Sequence, residues 1–143
     1  MPLLVRSWNV FHGNAFPPER RAFLRELVEL AVADRPDVLC LQEVPLWAAP
    51  RLARWSGMTA FPAVARRAPL GALLGRALTA PHHGLLRSAV SGQGNAILVA
   101  HDLDARDEGA IPVSEPGRER RCELVVVGRR EGGRVDEGDA HGS

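Results

Sequence analysis

Two oxygen-bearing side chains stand at the ends of short apolar runs. Asn9 closes LLVRSWN (3–9), and Glu43 closes DVLCLQE (37–43). An amide oxygen and a carboxylate are hard donors. Together they suit magnesium or manganese, ions that keep several waters and take up phosphate oxygens. The pair can grip one cation only if the two strand ends lie side by side. The competing reading is that Glu43 merely ends a strand and Asn9 merely caps a turn. Two further residues are candidates for substrate contact. His12 follows Asn9 in the turn VFHGN and lies either on the rim of a site or in a solvated loop. Asn95 opens the run GNAILV, where its amide serves either a phosphate or its own loop. His82 and His83 are adjacent on a loop with no carboxylate cluster beside them, so their diverging rings read as surface. His101–Asp102 reads as a turn. No G-x-S-x-G and no Walker loop occurs.

The elements that position these donors follow from periodicity. Residues 3–9 read as a strand. Residues 17–35 read as a helix, with Pro18 in its first turn, Pro36 behind it, and Phe23, Leu24, Leu27, Val28, Leu30 and Ala31 on one face. Residues 37–43 are apolar without alternation, the mark of a strand buried on both faces. Strand, helix and strand within about 40 residues make a βαβ unit with parallel strands. Asn9 and Glu43 then emerge at the same carboxyl edge of the sheet, where open α/β sheets bind ligands.

Farther along, 46–57 reads as a second helix that starts near Pro50 and is closed by Gly57. Residues 60–90 read as a loop or broken helix packed on the domain, with a lid or a membrane-surface segment as other possibilities. Residues 94–100 and 121–127 read as two more strands. From residue 128 the chain is GRREGGRVDEGDAHGS, too poor in aliphatic side chains to offset its ordering entropy, so 128–143 is expected to be a disordered tail behind a domain of 1–127.

A chain of 143 residues with a formal net charge of +1 is long enough for one core and has no global positive field that argues for nucleic acid. All 18 cationic side chains are arginine, a residue that binds phosphate bidentately, but coding bias is the preferred explanation. Two cysteines, Cys40 and Cys122, make neither a disulfide framework nor a metal cluster, which fits a reducing, cytoplasmic setting. No apolar run is long enough to span a membrane, and the N-terminus has no signal-peptide core.

W-N on the first strand, D-V-(x)3-Q-E on the second and G-N-A-I-L on a later one resemble the endonuclease/exonuclease/phosphatase superfamily, over about residues 4–127. The resemblance implies the deoxyribonuclease-like α/β sandwich. Only its N-terminal half is encoded, as one mixed sheet with helices on one face. It also implies that Glu43 holds the divalent ion, that Asn9 supports the same site, and that the chemistry is phosphoester or phosphodiester hydrolysis. The family continues with N-x-H-L, G-D-x-N and S-D-H motifs, none of which this sequence contains. No complete catalytic set is therefore present, and the chain is expected to be inactive alone; an interrupted reading frame near Val127 would account for this. A non-catalytic binding module or a partner-complemented half-domain is the alternative. A bare sheet face of about 500 Å² would forfeit roughly 12 kcal/mol at about 25 cal/mol per Å². Self-association or a complementing chain is expected to cover it, with a nucleic acid or small phosphate as substrate.

Overall fold

The computed structural model describes residues 2–66, 72–82, 84, 92–112 and 122–130. The first strand, β1 (Val5–Asn9), pairs in parallel with β2 (Val38–Val44), and between them lies helix α1 (Leu24–Ala31). The predicted βαβ unit is thus present. Its helix is shorter than the 17–35 expected, because the chain after Pro17–Pro18 is pinned to the core before it coils. The Phe23 N–H donates to the Gly13 carbonyl, and the helix begins only at Leu24. Leu24, Val28 and Ala31 form its buried stripe. At its C-terminus the Ala31 carbonyl accepts a hydrogen bond from Arg6, whose guanidinium also forks onto Asp34. That arginine ties the helix end to β1 and satisfies a carbonyl the helix leaves open.

Helix α2 (Leu52–Ser56) continues a 3-10 turn at Ala49–Arg51. Gly57 closes it in the left-handed conformation, its N–H bonded to Ala53, as expected. Trp47 and Trp55 meet edge to face beside it. The stretch expected to be loop or broken helix holds instead a strand, β3 (Thr59–Arg66), and then helix α3 (Ala72–Thr79). The rest of that stretch, apart from 80–82 and 84, lies outside the described residues. Strand β4 (Gln93–Val99) pairs antiparallel with both β2 and β3, which gives a mixed sheet of order β1-β2-β4-β3. Leu39, Leu41, Ala96 and Leu98 pack from one face of this sheet onto Leu24, Val28, Ala31 and Leu52 of the helices. This is the α/β arrangement expected, one mixed sheet with helices on a single face.

A second, two-stranded sheet is an addition. Strands β5 (Leu103–Pro112) and β6 (Cys122–Arg130) pair antiparallel, and β6 runs close to β3 and β4. The predicted strand at 121–127 exists, but it belongs to this second sheet and runs on to Arg130. Residues 131–143 of the expected tail lie outside the described residues. On the sheet face away from the helices, Val5 is 59% exposed, and Leu3 and Leu4 just before β1 are exposed as well. Cys40 is half-buried on that face, and burial pushes its thiol above the usual range. No helix among the described residues is long and apolar enough to cross a membrane.

Candidate metal and phosphate site

The register of the sheet decides which side chains share its carboxyl rim. Asn9 lies opposite Gln42, and the Val10 N–H donates to the Gln42 carbonyl one step further on. Between β2 and β4 the ladder runs regularly to Leu41 opposite Ala96, then resumes at Val44 opposite Gly94. Gln42 and Glu43 together therefore face Asn95, a β-bulge. Asn95 in turn pairs with Ala63 of β3. Asn9, the Gln42–Glu43 bulge and Asn95 thus form one row across three strands, at the C-terminal ends of β1 and β2. Three of the four predicted site residues are brought together by backbone pairing alone.

The bulge redirects Glu43. Its φ is 55°, in the left-handed region that side-chain-bearing residues avoid. A bulge re-aims the side chain it contains, and bulges gather beside functional sites. The Glu43 carboxylate is 30% exposed, open to solvent on one side. On the other side stands His12, with Nε2 3.7 Å from Oε2.

The turn after β1 is strained in the same way. Phe11 and His12 have φ of 47° and 58°, followed by Gly13 at 77°. Such conformations at non-glycine residues cost about 1–3 kcal/mol each and persist only where the surroundings impose them. Here the constraints are identifiable. Asn9 Oδ1 accepts the Phe11 N–H at 2.9 Å, Gly13 N–H reaches the Val10 carbonyl, and Asn14 closes on Phe11 through both its backbone and its side chain. Asn9 therefore caps a turn, and its amide oxygen keeps one further lone pair for another partner. His12 is only 3% exposed, so it stands behind Glu43 rather than on a solvent-facing rim.

Two contributions escaped the sequence. Gln42 shares the face of Asn9 and donates through Nε2 to Ser7 Oγ and the Cys40 carbonyl, bracing the row from β1 to β2. Its place beside Glu43 in Q-E was visible; its cross-strand role needed the register. Arg51 and Arg76 bring guanidinium groups within 5.9 and 5.5 Å of the Trp47 ring centroid, in the loop that leaves β2. Nothing local in the sequence pairs residues 51 and 76. His101 is exposed, its Nδ1 3.2 Å from Thr59 Oγ1, in the turn after β4. His82 lies in the short segment after α3, and His83 is outside the described residues. Two clefts, of about 480 and 340 Å³, lie beside β1 and at the opposite end of the sheet from the Asn9–Glu43 row.

The donor set fits a hard divalent cation. Among the described residues no three His, Cys, Asp or Glu side chains cluster as an all-protein metal cage. Magnesium does not require one: it is held by one or two carboxylates together with waters and substrate phosphate oxygens. Glu43, with Asn9 at the neighbouring strand end, has the donor chemistry that pattern needs.

A parallel βαβ unit in a mixed sheet, with oxygen donors at its carboxyl edge, makes this an α/β protein, and its structural neighbours have the deoxyribonuclease-like fold. The Endonuclease/Exonuclease/phosphatase family model matches residues 7–136, and the chain belongs to that family. Two solved structures share the fold. An endonuclease/exonuclease/phosphatase from Beutenbergia cavernae DSM 12333 aligns over 87% of this chain with 22% identity and a TM-score of 0.61. A functionally unknown conserved protein from Enterococcus faecalis V583 aligns over 89% with 19% identity and a TM-score of 0.60. This chain spans 33% of the first and 47% of the second. No curated protein matches the sequence.

Proposed function

We propose that this chain carries the cation- and phosphate-binding part of a magnesium-dependent phosphoesterase site. Glu43 holds the ion, Asn9 supports it, and Asn95 meets the phosphate. The observation that supports this most is the single row formed by Asn9, the Gln42–Glu43 bulge and Asn95, whose one acid, Glu43, sits on a left-handed backbone and is 30% exposed. A bound magnesium, or manganese, supplies positive charge against the negative charge that develops on a phosphoryl group. The protein's own part is to hold the carboxylate ready and to present an amide to a phosphate oxygen. Hydrolysis also needs an oriented nucleophile. The sequence has no N-x-H-L, G-D-x-N or S-D-H motif to provide one, so on this reading turnover requires groups from another segment or chain. The exposed β1 side, with Leu3, Leu4 and Val5, is where a second copy or a complementing chain would sit.

The test is a magnesium titration followed by thermal melting, with hydrolysis of DNA, RNA and a phosphomonoester measured in parallel. Magnesium is expected to raise the melting temperature of the wild type, by linkage to a folded-state site, and not that of Glu43→Ala. Turnover is expected to stay at background. Efficient magnesium-dependent hydrolysis by this chain, lost in Glu43→Ala, would overturn the claim of incompleteness. A non-catalytic module is favoured by one observation, the engagement of Asn9 Oδ1 with the Phe11 N–H. That reading gains if Asn9→Ala lowers stability but leaves the magnesium response intact.

A further inference from the structure

A buried histidine set against a partly exposed carboxylate is an unusual use of a turn. His12 has its side chain driven inward by three successive left-handed residues, Phe11 to Gly13, and the turn is fastened at both ends. Val10 bonds to the end of β2, and Gly13 receives Phe23 at the start of α1. The turn is held against β2 and α1, and His12 is 3% exposed. Glu43 is turned toward it by the bulge, on the opposite side of the same small space. Two backbone segments adopt unfavourable conformations, and the side chains they aim are the two that meet, Nε2 to Oε2 at 3.7 Å. Strain at one residue of a site is common. Here two residues with left-handed backbones bring their side chains to within 3.7 Å of each other, and such outliers gather at functional sites.

We infer that His12 is a positioning residue for Glu43. It restricts the carboxylate to the rotamer that faces the rim and leaves the outer oxygen for the cation. The inference rests on the proposed role of Glu43 as the ion's carboxylate. The separation of 3.7 Å is longer than a direct hydrogen bond, so the ring acts as a polar wall that the carboxylate leans on. Groups that orient a metal-binding side chain in this way typically change metal affinity by about 10- to 100-fold when removed.

His12→Asn and His12→Gln separate this role from a merely structural one. Asn tolerates the left-handed backbone but stops short of Glu43; Gln extends an amide to about where Nε2 lies. Magnesium and manganese affinities are measured by calorimetry on each folded protein, with melting in metal-free buffer as the measure of structure. The expected result is a loss of about 10- to 100-fold in affinity for His12→Asn, largely restored in His12→Gln. Wild-type affinity in folded His12→Asn overturns the inference, whatever its melting temperature. If His12→Asn does not fold, ring nitrogen resonances of the wild type decide. Those of His12 are expected to shift with magnesium over the same range as the melting response while those of His101 stay fixed, and an unmoved His12 overturns the inference. A wild type that takes up neither metal removes the proposed function and this inference together, whereas binding that ignores His12 removes the inference alone.

Discussion

At the scale of single residues, Glu43 pays in backbone conformation for where its carboxylate points. A left-handed φ costs a side-chain-bearing residue roughly 1–2 kcal/mol. Glycine removes that penalty but loosens the unfolded chain by about 0.4–1 kcal/mol. Glu43→Gly is therefore expected to raise the stability of the metal-free protein by about 0.5–1 kcal/mol, read as a higher urea midpoint, and to abolish the magnesium response. A lower midpoint would show that the carboxylate is a structural member and that the bulge is not strained. The sequence disclosed that Asn9 and Glu43 stand at neighbouring strand ends, because apolar runs and βαβ connectivity carry that information. It did not disclose the bulge. Nothing in LQEV predicts a positive φ at a glutamate; the register of β4 imposes it. The sequence marks His12 as a rim or loop residue, but its burial was illegible, since such a turn looks solvated until α1 packs against it.

At the scale of elements, the turn after β1 depends on a glycine that must both turn left and stay small. A Cβ on Gly13, at φ 77°, would sit 2.8 Å from Leu24 Cβ. Gly57 has a similar φ of 67° with nothing within 4 Å. Ala at position 57 incurs only the left-handed penalty, about 1 kcal/mol. Ala at position 13 adds overpacking of about 1–3 kcal/mol. Thermal melts of the two variants should rank Gly13→Ala well below Gly57→Ala; equal losses would mean that the turn and α1 separate easily. The strands that sequence reading missed were hidden by their composition. β3 carries Pro62 in mid-strand, which argues against a central strand but is tolerated at a sheet margin. β5 alternates with charged residues and is broken by a bulge at Asp107–Ala110, where Asp107 Oδ1 accepts the Gly109 N–H. Both are outer strands, whose pairing depends on partners distant in sequence.

At the scale of the whole molecule, the sheet has one face sealed by α1 and α2 and the other only partly approached by β6. The one-sided sheet was expected from the family resemblance. The unalternating run in β2 pointed instead to burial on both faces, whereas Leu39 and Leu41 are buried and Val38, Cys40 and Gln42 only half-buried, and the second sheet was not foreseen. Among the described residues no strand pairs with β1 on the side away from β2. An edge that is open and apolar is prone to strand addition, and lysine is the usual protection. Val5→Lys is accordingly expected to lower any concentration-dependent rise in mass seen by sedimentation, without changing the fold as read by circular dichroism. If self-association is unaffected by this change, the contact lies elsewhere.

The opposite margin of the sheet is not equivalent. Pro62 lacks an N–H to offer a neighbour on β3, and β6 lies close by. Strand addition is therefore expected at the β1 flank and not at the β3 flank. Should β1 flanks associate, two that have met leave none open for a third, so the expected end point is a closed pair and not a fibre.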